Sequence, residues 1–198
     1  MKHKFIETIR FANGEAQLIN YHQKRLERTQ DVFYNVNNIK LTDILPDVKT
    51  NEEMKCRIIY SDKIEDIKLT PPQERTVNEL VTVNADGINY KYKNANRKVF
   101  EKISEGLEEQ QLPLIIKEGF ITDTSISNVV VRIGDELITP IEPLLRGVQR
   151  QHLVDTGVVI EAPIPTSIID FIDEIILINC MMPLANSIRL PKSAIKRQ

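Results

Sequence analysis

The sequence predicts an α+β protein of two domains, and three observations predict it. Phe5 to Phe11 alternates apolar and polar residues and leads to Asn13-Gly14, a hairpin signal because both residues tolerate positive φ. From Asn20 to Asn35 the apolar spacing becomes helical, with Leu26, Thr29, Val32 and Phe33 on one side. Glu174 to Asn179 is an almost wholly apolar run of strand length, the pattern of a strand buried on both faces.

The remaining elements follow in order. Ala16 to Ile19 reads as the return strand of the first hairpin, and Thr42 to Val48 as a short helix with a threonine cap. Lys55–Ser61 and Ile64–Thr70 form a second hairpin around Asp62-Lys63, and Val77 to Asn84 is a further strand. Ala85-Asp86-Gly87 is polar and turn-like, so the boundary is placed there, with one domain over residues 1–86 and another over 87–198. Asn94 to Gln110 reads as a helix, followed by short strands at Leu114–Lys117, Val129–Ile133 and Glu136–Thr139. Gly147 to Thr156 is a helix, Val158 to Ala162 a strand and Ser167 to Ile172 a short helix.

Composition bounds the function. Of 198 residues, 41% are hydrophobic and 27% charged, the balance of a globular protein with a proper core. The net charge of -2, with no long run of one sign, speaks against a nucleic-acid or membrane-surface role. No apolar run approaches membrane-spanning length, and the first residues carry no secretory pattern. Cys56 and Cys180 are far apart, which suits free thiols in a reducing cytoplasm. His3, His22 and His152 are scattered, so no metal cluster is expected.

Four short motifs carry candidate chemistry. In Lys93-Asn94-Ala95-Asn96-Arg97, Lys93 offers an amine near a helix start, and a lysine forms Schiff bases when its surroundings lower its pKa. Lysine is usually a solvated charge, and Lys91 competes, since on a strand the two would share a face. Asp123 lies in Thr122–Asn128, a polar turn before an apolar strand. A carboxylate there can keep a pyridine nitrogen protonated, or simply form a turn. Pro143 to Arg150 ends a loop and starts a helix at Gly147-Val148-Gln149, where unpaired N–H groups and the dipole suit an anion. Ile178 to Pro183, with Asn179 and Cys180, is a polar strand end. Arg25 on the first helix can grip phosphate or sit on a solvated face. Arg57, flanked by apolar strand residues, is either a carboxylate-binding residue or an edge position.

The order of these motifs resembles the class IV aminotransferase family, the fold-type IV enzymes that use pyridoxal phosphate. Phe5-Ile6-Glu7-Thr8-Ile9-Arg10 looks like the family's phenylalanine-glutamate-threonine-x-arginine strand. Tyr21 to Leu26 resembles its histidine-x-x-arginine-leucine helix, which implies that Arg25 holds the cofactor phosphate. The resemblance prefers Lys93 over Lys91 as the Schiff-base lysine and gives Asp123 the ring nitrogen. It gives Gly147, Val148 and Gln149 the phosphate cup and Asn179 and Cys180 the adjoining strand end. Asp123 stands where the family usually has glutamate, and Gln149 where it has threonine. Asn179-Cys180-Met181-Met182-Pro183-Leu184 resembles the stretch of aminodeoxychorismate lyases more than the threonine-glycine-threonine-alanine of transaminases.

The resemblance therefore implies a short member of this two-domain fold, similar to D-amino acid aminotransferase, with pyridoxal 5'-phosphate in the interdomain cleft. It implies a homodimer, because the chain starts without the N-terminal strands of longer members and a second subunit would complete the pocket. The implied reaction is elimination of pyruvate from aminodeoxychorismate to give 4-aminobenzoate, a folate precursor, with Arg57 or Arg10 holding a substrate carboxylate. The alternatives are a D- or branched-chain amino-acid aminotransferase, and a non-catalytic relic that binds the cofactor.

Overall fold

The computed structural model describes residues 2–197. The chain divides into two compact units, one of Met1–Glu74 with Tyr92–Asn96, the other of Arg75–Lys91 with Arg97–Gln198. The boundary expected at residue 86 therefore falls inside the second unit.

The first unit opens with β1 (Phe5–Ala12) and β2 (Glu15–Ala16), joined through Asn13 and Gly14 at φ 52° and 78°. The return strand is shorter than expected, because Leu18 turns into the left-handed region at φ 53° and starts α1 (Ile19–Tyr34). That helix buries His22, Arg25, Leu26, Thr29 and Gln30, a stripe at the spacing of one helical face. Val32, expected on that face, is 56% exposed, because the stripe turns about the polar residues instead. The second helix is only α2 (Leu41–Ile44), with no side-chain cap. Pro46 explains its end, since the residue before a proline is pushed out of the helical region and Leu45 is extended at ψ 140°. β3 (Met54–Tyr60) and β4 (Ile64–Thr70) form the expected second hairpin. The antiparallel sheet runs β2-β1-β3-β4, and Phe5, Ile9, Leu26, Leu41, Cys56, Ile58 and Tyr60 form its core.

The second unit holds β5 (Glu79–Asn84), α3 (Lys98–Ile103), β6 (Gln111–Lys117), β7 (Phe120–Thr124), β8 (Asn128–Ile133), β9 (Glu136–Pro140), α4 (Val148–Asp155), β10 (Ile160–Ala162), β11 (Glu174–Ile178), β12 (Ile188–Pro191) and β13 (Ile195–Lys196). β5 belongs here because it pairs in parallel with β6 over its whole length. The helix expected from Asn94 to Gln110 shrinks to six residues. Asn94 folds back on the Asn96 N–H at its start, and Gly106 breaks it at φ 83°. β7 replaces the expected turn around Asp123. The real turn lies at residues 124–127, where the Thr124 N–H donates to the Ser127 carbonyl at 2.9 Å.

β11 is buried on both faces as its composition predicts. Ile175 and Leu177 pack with Leu80, Val129 and Val131, while Ile176 and Ile178 pack with Val130 and Leu153 of α4. No described helix is long and apolar enough to cross a membrane.

Candidate functional site

In the first unit the predicted residues gather around β1. Side chains alternate along a strand, so Glu7 points to the same face as Phe5 and Ile9, toward α1. His22 and Arg25, three residues apart on that helix, meet it there. Arg25 donates Nε to Glu7 Oε1 at 2.9 Å and Nη2 to Oε2 at 2.5 Å, and His22 Nδ1 lies 2.6 Å from Oε2. All three side chains are buried. Burial works to raise the Glu7 carboxyl, but the Arg25 charge and the His22 and Arg25 hydrogen bonds outweigh it and hold the pKa at about 2. Burial, with the Arg25 and Lys93 charges, pushes His22 down against the pull of Glu7. A neutral His22 then donates Nδ1–H to Glu7, which leaves Nε2 as a buried acceptor with no hydrogen-bond partner among the described residues.

Lys93 is placed by the backbone. Its carbonyl accepts the Ile6 N–H at 2.9 Å, and the Ala95 N–H donates to the Lys4 carbonyl at 2.8 Å. Residues 92–96 thus lie along β1 beside Glu7, and the Lys93 charge reaches His22. Lys93 is half-buried, whereas Lys91 is exposed and belongs to the other unit. The two lysines are not on one strand, because this segment is a loop with a single bridge from Asn94 to Phe5. Arg10 and Arg57 lie on the opposite face of the sheet. Arg57 pairs with Thr8 in register, and Arg10 donates to Glu53 at 2.6 Å. Both are half-buried.

In the second unit Asp123 is buried on β7, directly opposite Asn128 of β8. Its Oδ1 accepts Asn128 Nδ2 at 2.5 Å, and its Oδ2 accepts the backbone N–H of Leu144 and that of Leu145, the latter at 3.2 Å. Burial dominates and pushes its pKa up to about 7, against the donors from Asn128, Leu145 and Leu144 and the Arg150 charge. A carboxylate has about four acceptor positions; with three filled, Asp123 can take one more donor.

The loop that supplies Leu144 and Leu145 ends at Gly147, the N-cap of α4, which is extended and bears no capping side chain. The first N–H groups of a helix have no acceptor within it. Val148 and Gln149 are buried there. Arg150 is fully buried, with Nη2 donating to the Pro140 carbonyl at 2.6 Å and to Glu161 at 2.5 Å. Arg97, last residue of the lysine motif, donates to the Ser125 carbonyl two residues past Asp123 and stacks 4.7 Å over the Phe100 ring. Asn179 accepts the Met181 and Met182 N–H groups at 2.8 and 3.0 Å through Oδ1, and donates to the Ile126 carbonyl at 3.2 Å. Cys180 beside it is half-buried.

Sequence reading missed Asn128, Arg150 and the partnership of Glu7 with His22. A signal for Asn128 was present: Thr124 and Ser127 flank a tight turn, which sets residues 123 and 128 face to face.

Comparison with known proteins adds to this geometry. A model of amino-transferase class IV matches residues 4–186. An uncharacterised protein of Haemophilus influenzae is 33% identical over 180 residues, covering 88% of this chain and 96% of that one. The crystal structure of a candidate 4-amino-4-deoxychorismate lyase from Haemophilus somnus superposes with a TM-score of 0.83 at 30% identity, covering 93% of this chain and 99% of that one. A hypothetical aminotransferase from Mycobacterium tuberculosis in a PLP-bound form shares the fold, with a TM-score of 0.76 at 17% identity over 98% of this chain and 84% of that one.

Proposed function

Because the chain belongs to the class IV aminotransferase family, whose enzymes depend on pyridoxal phosphate, we propose that it is a lyase that eliminates pyruvate from aminodeoxychorismate and leaves 4-aminobenzoate. The residues suit the cofactor. Asp123 keeps one acceptor position open for a protonated ring nitrogen. The start of α4 offers backbone N–H groups to a phosphate, and Gly147 adds no side chain in front of them.

The cofactor, when bound, supplies an electron sink for the substrate carbanion. The chain's own residues do the rest. Lys93 presents the amine that receives the cofactor and, once released, carries protons at Nζ as general base and acid. The Glu7 carboxylate holds Arg25 in place as a phosphate ligand. Asp123 holds the proton at the ring nitrogen. With Gln149 in place of threonine, the backbone N–H groups of Val148 and Gln149 carry more of the phosphate contact. Arg10 or Arg57 binds a substrate carboxylate.

The observation that carries the lyase reading is the Asn179–Leu184 strand end. It forms a closed turn around the Asn179 side chain, where transaminases place threonine. The 30% identity with the candidate lyase from Haemophilus somnus supports it. The test is release of 4-aminobenzoate and pyruvate from aminodeoxychorismate with no added keto acid. Product is expected. Keto-acid-dependent turnover of a D- or branched-chain amino acid, with no 4-aminobenzoate, would replace this reading by transamination. Cofactor binding without turnover in either assay would leave a non-catalytic binder.

A further inference from the structure

Asn128 is buried, yet its amide takes no part in its own turn. That turn is closed by Thr124 and Ser127, through the Thr124 N–H to the Ser127 carbonyl at 2.9 Å, the Ser127 N–H to Thr124 Oγ1 at 3.0 Å, and the two hydroxyls at 2.7 Å. Asn128 Nδ2 instead donates twice across the unit, to Asp123 Oδ1 at 2.5 Å and to the Leu145 carbonyl at 2.7 Å. On its other side, a Cβ built on Gly147 would overlap Asn128 Oδ1, so the amide oxygen lies close against the backbone at the start of α4. One side chain therefore touches the carboxylate, the loop that donates to that carboxylate, and the glycine that opens the helix. A mere turn former needs none of these contacts.

We propose that Asn128 is a positioning residue: it ties the Asp123 carboxylate to the 144–147 loop, so that the group meeting the cofactor ring and the backbone meeting its phosphate are set as one rigid piece. The same packing explains why residue 147 is glycine, beyond any approach of phosphate to the backbone. The inference rests on the cofactor reading above and assigns a residue to each end of that contact.

Three measurements on the purified full chain test it. Amide hydrogen exchange of cofactor-free protein, read by peptide mass, reports the tie without any ligand. Asn128→Ala is expected to speed exchange at Leu144 and Leu145 while β8 and β11 keep their protection. Titration with pyridoxal phosphate is expected to give a dissociation constant about tenfold to a hundredfold weaker than wild type, the range for losing hydrogen bonds to a charged group. Gly147→Ala is expected to abolish cofactor binding in the wild type. In an Asn128→Ala background it should add little further loss, because the overlapping amide is gone. Asn128→Ser provides a second, smaller change should the alanine variant lose structure.

Unchanged affinity and unchanged exchange at residues 144 and 145, in a protein whose wild type binds the cofactor, overturn the tie alone. Faster exchange spread equally over β8 and β11 in both variants makes Asn128 a general packing residue, which also overturns it. A wild type that binds no pyridoxal phosphate removes the cofactor reading itself, and the proposal with it.

Discussion

At the scale of single residues, two carboxylates of opposite behaviour define the chemistry. Glu7 sits at about pKa 2, below its usual 4.5, and Asp123 at about 7, above its usual 3.8. The signs of their contributions to stability therefore differ. Glu7 stabilises the fold fully above pH 4.5, and that contribution is lost as pH falls toward 2. Asp123 keeps its proton when folded but loses it when unfolded between pH 3.8 and about 7, so stability falls across that window and is level above it. His22 works the other way, since its lowered pKa makes the fold gain stability as pH rises toward 6.5. The Asp123 contribution is therefore read by comparison: in calorimetry of the cofactor-free protein, Asp123→Asn should gain melting temperature relative to wild type between pH 5 and pH 7. Asp123→Asn should still bind cofactor but lose turnover on the order of a hundredfold, as when one preorganised electrostatic partner is removed; near wild-type turnover would mean that another group protonates the ring. Lys93 should carry the pyridoxyl label after borohydride reduction and peptide mapping. The half-buried setting of Lys93 along β1, against the exposed Lys91, argues for this, and a label on Lys91 would reverse the assignment.

At the scale of elements, β1 and α1 exchange polar groups through a buried face. Glu7→Gln strands Arg25 as a buried charge with a weaker partner, and urea unfolding should show a loss of about 3–5 kcal/mol, the cost of breaking a buried pair. The β1–β2 turn makes a separate demand. Gly14 adopts φ 78°, and a Cβ there would sit 2.9 Å from the Val48 carbonyl oxygen. Gly14→Ala should cost about 1–2 kcal/mol from the left-handed conformation, with more from the contact, in the same unfolding assay. Asn13-Gly14 was legible because turn chemistry is local. The length of α2 was legible too in principle, since Pro46 forbids the longer helix that the Thr42–Val48 pattern suggests. The extent of α1's buried face was not, because its polar members His22 and Arg25 are buried only by virtue of Glu7 on another element.

At the scale of the molecule, the lysine motif is divided. Lys93 belongs to the first unit and Arg97 to the second, where it holds the strand that bears Asp123 through the Ser125 carbonyl. The second unit leaves Phe171 71%, Ile141 44% and Phe120 41% exposed. A twofold homodimer is expected, the commonest arrangement of soluble oligomers. Sedimentation at micromolar concentration checks this, and a monomer with cofactor bound would contradict it.

The sequence by itself determined what is local or periodic: the α+β class, the two hairpins of the first unit, the doubly buried β11, and the family to which four ordered motifs belong. Each follows from side-chain period, turn residues or a short contiguous pattern, all of which act within a few residues. Only the tertiary structure decided the pairing of β5 with β6, the place of Asp123 on a strand, the Glu7–His22–Arg25 cluster and the tie made by Asn128. These depend on residues from 5 to 32 positions apart, or more, meeting across strands and helices. Burial then converts ordinary polar side chains into groups with shifted charge and fixed partners, which no spacing along the chain encodes.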